Sequence, residues 1–482
     1  RYSLRAETPR FLSGALASMA LVTGKYIDAA RESRRPARRA RGGDAGESAS
    51  QRVSASKITN ALGETADGVG DFVLPPRPED GLGRVALDAF ATGREGGEMA
   101  ARIERAFKHA SAGLLRAVLD DGDLRARLRS LKKYFLLHQG DFLVHFVDIA
   151  GAELARPAPD VSVERLQSML ELSLKVEGSA AASDPHADRV TCALERRGIF
   201  AQLLAIQGAA GPGPGPGPRG DDPDEFEARA RDATSLEDES LAASSSLTGM
   251  DTFTLEYRAP WPTSLVLSRK ALTKYQLLFR HVFHCKHVER RLCAAWRARK
   301  ATRGGGGSFL FAAGGALGRA HVVLQRMLHF TQNFVHYLTM EVIDPNWAAF
   351  ERSLDEASTV DELIAAHDAF LDACLKEGML FWPTTLRRLD VIAKTCVAFA
   401  DAVASLDDED DAGVSVVNQA VAGEDGDLAR RLESLESSFD ECVKELFVTL
   451  NRSAHTEPNL SSLCARLDFN EYYTYGPGGK YA

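Results

Sequence analysis

Apolar residues recur at three- and four-residue steps through most of this chain, and the longest such run organises the rest. Between Arg269 and Lys300, Leu272, Tyr275, Phe279, Val282, Cys293 and Trp296 fall near one stripe of an α-helix. Leu278, Phe283, Val288 and Leu292 widen that stripe, which predicts a helix wedged between neighbours. Lys270, Lys274, Arg280, Lys286, Arg290, Arg291, Arg297 and Arg299 cover much of what remains. The pattern is a long helix with an apolar body and a basic coat.

The same period predicts helices over Phe11–Arg31, from Met99 to Val118, over Leu124–Leu137, from Phe142 to Ile149 and over Val163–Val176. It continues over Leu317–Ile343, Leu354–Met379 as a pair or bent helix, Leu386–Leu406 and Leu428–Ser453. Pro345 is expected to end the second long helix, because the residue before proline avoids the helical region. Gln139-Gly140-Asp141 reads as a turn, with Gly140 as a positive-φ helix stop and Asp141 capping the next helix. Only TFTLEYR, residues 252–258, alternates as a strand does. At the end of the chain, Leu463, Leu467, Phe469 and Tyr472 are expected to pack together.

Other stretches lack any such period. Residues 34–52 mix basic residues with Gly and Ser, and 63–81 are rich in Gly and Pro; both read as loops. Residues 208–246 begin with alternating Gly and Pro, which sustains neither helix nor central strand, and read as a disordered insertion. RGGGGS at 303–308 and the acidic run at 407–427 interrupt the helices further on. The fold class expected is all-α: an elongated stack of antiparallel helical bundles with disordered loop insertions. No fixed-period repeat supports a regular solenoid.

Bulk composition narrows the function. At 482 residues and 45% hydrophobic the chain can bury a large core, in more than one domain or sub-bundle. A net charge of −9 argues against a general nucleic-acid binder and leaves room for one local basic face. The seven cysteines are scattered with no CxxC, as expected of reduced thiols in a cytosolic or nuclear protein. No apolar run is long enough to cross a bilayer, and residues 1–30 lack a signal-peptide pattern. The chain opens on Arg1 rather than Met, so a further N-terminal portion is expected.

Candidate chemistry is sparse. His281, His284, Cys285 and His287 lie close on the basic helix, but a zinc site needs further ligands and no CxxC or HxxxH supplies them. Gly24-Lys25 lacks the glycine spacing, the following Ser or Thr and the preceding strand of a phosphate loop. The glycines at 304–307 precede no GK[ST]. No hydrolase, zincin or kinase signature appears, and nothing in the residues asks for an enzyme or a cofactor. The basic coat has two readings: a face balanced by acidic neighbours within the fold, or a docking face for an acidic partner.

Four long stretches, in order, resemble the gamma-tubulin complex protein family. They are LKKYFLLHQGDFLVHFVDIA (131–150), WPTSLVLSRKALTKYQLLFRHVFHCKHVERRLCAAW (261–296), QRMLHFTQNFVHYLTMEVIDPNW (325–347) and LCARLDFNEYY (463–473). HDAFLDACLKEGML (367–380) and MALVTGKYIDAARE (19–32) are similar too. The resemblance implies that residues 1–100 end an N-terminal grip domain making side-by-side contacts. Residues 101–482 would be a C-terminal grip domain that binds gamma-tubulin, with insertions at 208–246, 303–308 and 407–427. The implied role is a non-catalytic scaffold that helps template microtubule nucleation at microtubule-organising centres, centrosomes or spindle poles, in cytoplasm and cytoskeleton. Its partners would be gamma-tubulin, component three and ring neighbours, with no nucleic acid and no membrane insertion. Most of the N-terminal grip domain lies outside this sequence.

Under that reading, the candidate gamma-tubulin-binding residues are Gln139, Gly140 and Asp141 in the turn, Lys270, Lys274 and Arg280 on the basic helix, and Asn346 and Trp347 after Pro345. A cap, a solvated charge or core packing is the alternative for each, and core packing is favoured for Trp347. Glu341 and Asp344 read as a solvated helix end, and Tyr472 and Tyr473 as closing the C-terminal bundle. Competing classes are a helical adaptor of vesicle-tethering type, binding small GTPases or coiled coils, and a metal-dependent helical enzyme using the His281–His287 cluster.

Overall fold

A computed structural model of the chain describes residues 14–33, 98–176, 181–199, 202–203, 247–301, 316–408, 426–454 and 458–475. The loops expected at 34–52 and 63–81, the insertions at 208–246 and 303–308, and residues 409–425 of the acidic run lie outside them. The described residues are almost wholly helical, as the apolar period requires, and fall into two compact units.

The first unit draws on Arg1–Arg125, Pro260–Val266 and Glu356–Ala365. Helix α1 (Gly14–Ser33) packs along α2 (Glu98–Arg116), with Tyr26 stacked on Phe107 at a centroid distance of 5.8 Å. The Tyr26 hydroxyl donates to the Asp361 carboxylate, and burial together with that carboxylate raises its pKa. The end of α2 is not abrupt. The helix first widens into a π-helical turn, Ala117–Asp121, closed by Gly122 N–H donating to Ala117 O at 2.9 Å. A β-carbon on Gly122 would lie 2.6 Å from Val118 O and 2.7 Å from Thr263 Cγ2, so the backbone approach here admits only glycine.

The second unit contains most of α3 (Leu124–Phe135) and everything built around the basic helix. Helices α4 (Gly140–Leu154) and α5 (Val163–Leu174) follow, then strand β1 (Val190–Leu194). β1 pairs antiparallel with β2 (Phe253–Tyr257), from Val190 opposite Tyr257 to Leu194 opposite Phe253. Alternation identified β2; VTCAL is too short and too weakly alternating to identify β1. The ribbon lies against α6 (Arg269–Ala301), where Gln276 Nε2 donates to Leu255 O at 3.0 Å.

The apolar stripe of α6 is the centre of this unit. Tyr275, Phe279, Val282, Phe283, Val288 and Leu292 are all buried. Their rings meet those of Phe135 and Phe253 in edge-on and tilted pairs. Each such residue removes a full side chain from water, worth roughly 1.5–3 kcal/mol. Tyr275 Oη also lies 3.0 Å from His367 Nε2 within the core. All seven cysteines are free thiols.

Two expectations about helix ends fail. Helix α7 (Ala316–His336) does not stop before Pro345: it passes through a π-helical segment, Tyr337–Ile343, into α8 (Asp344–Glu356). The Asp344 N–H reaches back five residues to Thr339 O. The wide turn shifts the hydrogen-bond ladder, and Pro345 then sits at the start of the next α-helical run, where its missing N–H costs little. Likewise Gly140 is no helix stop. Leu137, with φ 50°, makes the turn after α3, and the amides of His138 and Gln139 bond back to Lys132 O and Lys133 O at 3.4 and 3.3 Å. Gly140 opens α4 with Gln139 at its N-cap, and Asp141 Oδ1 accepts from Phe142 N at 2.9 Å from inside the first turn.

The rest is α9 (Val360–Glu377), α10 (Pro383–Asp408), α11 (Gly426–Ala454), α12 (Pro458–Leu467) and a last turn, Tyr472–Tyr475. Leu463 and Leu467 are buried as expected, but Phe469 is 72% exposed. α12 ends at Leu467, so the helical period no longer carries Phe469 to the core face. Tyr473 does close the bundle, stacked on Phe447 at 5.7 Å, and the Arg326 guanidinium lies 4.8 Å from the Tyr472 ring.

Candidate partner-binding surface

Four of the eight basic residues of the α6 coat, Lys274, Lys286, Arg290 and Arg291, pair with carboxylates of the same chain. Lys274 is buried and bridges Asp368 at 3.2 Å and Asp372 at 2.8 Å, both on α9. Arg280 is 3% exposed. Its guanidinium donates to Gln202 Oε1 at 2.5 Å, to Arg197 O at 2.8 Å and to Asp251 O at 2.7 Å. Burial pushes its pKa down to about 10, so it stays charged at neutral pH. Lys286 meets Glu289 at 3.3 Å, Arg290 pairs with Asp148 and Arg291 with Asp401. Lys270 differs: it is exposed at the start of the helix, and no ion pair is described for it.

Two groups of the candidate residues come close in space. Lys132, just before the turn, bridges Asp344 at 2.8 Å, and its ammonium sits 5.2 Å from the Trp347 ring centroid. His138 Nδ1 lies 3.9 Å from the same Asp344 carboxylate. The turn carrying Gln139, Gly140 and Asp141 is therefore tethered to the start of α8, which carries Asn346 and Trp347. Within this neighbourhood His138, Gly140 and Pro345 are exposed, and Gln139, Asp141, Asp344 and Asn346 are half-buried. Asn346 Nδ2 spans Val342 O and Glu377 Oε2, each at 2.9 Å. Trp347 is core, edge-on to Phe350 and Phe370 at 5.7 and 5.6 Å.

Glu341 and Asp344 are not a solvated helix end: Glu341 pairs with Arg466 and Asp344 with Lys132. The π-helical segment Tyr337–Ile343, which carries Glu341, leaves Met340 53% exposed. Sequence reasoning missed Met340, Val322 and Phe469 as surface residues, because each sits in or beside an apolar run. His329 lies on α7 with its ring 5.6 Å from that of Phe469, so α7 and the segment after α12 share this exposed apolar ground.

For the histidines of α6, burial holds His281, His284 and His287 neutral, with His281 and His287 pushed down to about 4. Among the described residues no group of three His, Cys, Asp or Glu side chains is placed to hold a metal ion. None of the described helices is long and apolar enough to cross a membrane.

The described residues thus form helical bundles with one two-stranded ribbon, in which several basic side chains of α6 are paired within the chain. Residues 124–473 match the gamma tubulin complex component C-terminal family, and the chain belongs to that family. It is 34% identical to gamma-tubulin complex component 2 of Arabidopsis thaliana over 464 residues, 96% of this chain and 57% of that protein. It is 37% identical to gamma-tubulin complex component 2 of Mus musculus over 300 residues, 62% of this chain and 30% of that one. With the spindle pole body component alp4 of Schizosaccharomyces pombe, identity is 32% over 374 residues, 74% of this chain and 47% of the relative. The chain thus spans about half the length, or less, of these relatives.

Proposed function

We propose that this chain is a scaffold subunit of a gamma-tubulin complex, which binds gamma-tubulin and helps to template microtubule nucleation at microtubule-organising centres and spindle poles. The observation that carries the reading is the family match over residues 124–473. The names of the relatives, gamma-tubulin complex component 2 and a spindle pole body component, support the partner and the location. The subunit does no chemistry of its own, and any nucleotide in the assembly belongs to gamma-tubulin. Residues 1–100 are assigned to the end of an N-terminal grip domain and 101–482 to a C-terminal grip domain.

For the gamma-tubulin face we assign Gln139, Gly140 and Asp141 with Asn346, together with Lys270. Lys274, Arg280 and Trp347 are buried and are assigned structural roles instead. The test is binding of the purified chain to purified gamma-tubulin by analytical size exclusion across a salt series. The wild type should co-elute with gamma-tubulin, and Gly140→Trp and Lys270→Glu should weaken the complex while keeping the far-UV circular dichroism of the wild type. Failure of the folded wild type to bind would sink the reading and favour a helical adaptor for small GTPases, which the same column would reveal.

A further inference from the structure

Burial along α7 and α8 slips by one residue where the π-helical segment joins them. Val335, Leu338 and Val342 are buried at helical spacing, and continuing that step would bring Asn346 and Ala349 to the core. Instead Ile343, Trp347, Phe350 and Leu354 are buried, while Asn346 is half-buried and Ala349 exposed. The wide turn Tyr337–Ile343 therefore accommodates one residue more than an α-helix would. Of its seven residues only Met340 is exposed. Single π-helical turns of this kind are rare and are frequent at functional sites.

The segment is braced from α9. Tyr337 Oη donates to Glu377 O at 3.0 Å, and Asn346 Nδ2 donates to Glu377 Oε2 at 2.9 Å. The charges flanking Met340 are paired: Glu341 with Arg466, and Asp344, one helical turn on, with Lys132 at 2.8 Å. An adaptable apolar side chain among neutralised charges is the make-up of an interface centre, where methionine is enriched and acidic residues and lysine are depleted. Met340 also adjoins the turn that carries Gln139 and Gly140, because Asp344 meets both Lys132 and His138. The other exposed apolar residues of this region lack that continuity. Val322 lies about five turns, roughly 27 Å, back along α7, and the ring of Phe469 lies against His329.

We propose, on the reading that this chain binds gamma-tubulin, that the π-helical segment presents Met340 as the apolar anchor of that contact. The side chain seats in an uncharged, apolar recess of gamma-tubulin, with the Gln139–Gly140 turn at the rim. The residues already assigned to the face are polar or glycine, and Met340 supplies the apolar centre they lack. Bracing by Glu377 fixes the segment before the partner arrives, which lowers the ordering cost of association.

The test titrates the purified full chain with purified gamma-tubulin by microscale thermophoresis, with circular dichroism to show that each variant is folded. Met340→Glu should weaken binding about tenfold or more, because it places a charge at the apolar centre of the contact. Met340→Leu, which keeps the apolar volume, should bind within about threefold of the wild type. Val322→Glu, the same kind of change at an exposed site far along α7, should bind as the wild type does. Wild-type affinity retained by Met340→Glu, or an equal loss in Val322→Glu, would overturn the anchor and leave the gamma-tubulin reading standing. So would a loss in Met340→Leu as large as that in Met340→Glu. No binding by the folded wild type would overturn both.

Discussion

Removing Arg280 separates a structural from a docking role more cleanly than any other change on the basic helix. The side chain is 3% exposed, and its guanidinium serves three acceptors, Gln202 Oε1, Arg197 O and Asp251 O. Truncation to alanine leaves those acceptors unsatisfied and opens a void where the side chain lay. Hydrogen bonds to a charged group contribute about 1.5–3 kcal/mol each, but neither they nor the cost of burying the charge add simply. A net loss of about 2–4 kcal/mol is expected for Arg280→Ala, because neutral acceptors left unpaired in the interior cost about 1–3 kcal/mol each and relief from burying the charge offsets part of that. Chemical denaturation followed by circular dichroism reads it as a lower midpoint, alongside Lys270→Glu, an exposed site expected to change stability by less than about 0.5 kcal/mol. Gamma-tubulin binding should follow the opposite order under conditions where both variants are folded: weakened by Lys270→Glu, retained by Arg280→Ala. A destabilisation under about 1 kcal/mol combined with lost binding in Arg280→Ala would refute the structural assignment.

Three further outcomes follow from the same contacts. Trp347→Ala removes a buried ring packed on Phe350 and Phe370 and should cost about 3–5 kcal/mol, visible as a fall of several degrees in the melting temperature. Gly122→Ala places a carbon 2.6 Å from Val118 O and should destabilise by about 1–3 kcal/mol; an unchanged midpoint would show that the π-helical turn can relax around it. For pH, His281 and His287 titrate near 4 in the fold and near 6.5 when unfolded, so the unfolded chain binds the extra protons. Stability should therefore be unaffected by these groups above about pH 6.5 and fall as pH drops from there towards 4. His281→Leu should lessen that slope, and an identical slope would dispose of the assignment.

Much of the fold was legible because helices carry their own signal. The stripes of α1, α6, α10 and α11 lie within a few residues of their expected spans, since a 3.6-residue period is a local property of the chain. Errors fell where the backbone had an unusual alternative. Pro345 stops an α-helix, yet a π-helical turn beforehand removes the conflict, and no residue pattern announces such a turn. Gly140 looked like the residue to take positive φ, but Leu137 takes it because the buried Leu136–Leu137 pair fixes where α3 must turn. β1 went unseen because a two-stranded ribbon depends on a partner strand far along the chain, from Leu194 opposite Phe253 to Val190 opposite Tyr257.

The sequence by itself determined the all-α class, the central place of the helix at Arg269–Ala301 and, through long stretches of family likeness, the family to which residues 124–473 belong. Only the tertiary structure decided which charges were free. Lys274 finds Asp368 and Asp372 more than ninety residues away, Arg280 finds Gln202, Arg197 and Asp251 on three other turns of chain, and Lys270 on the same helix finds none among the described residues. A helical period records which face is apolar; it holds no record of what a polar side chain will meet. That depends on segments brought together by folding, and an ion pair or a buried hydrogen bond exists only once both partners are in place.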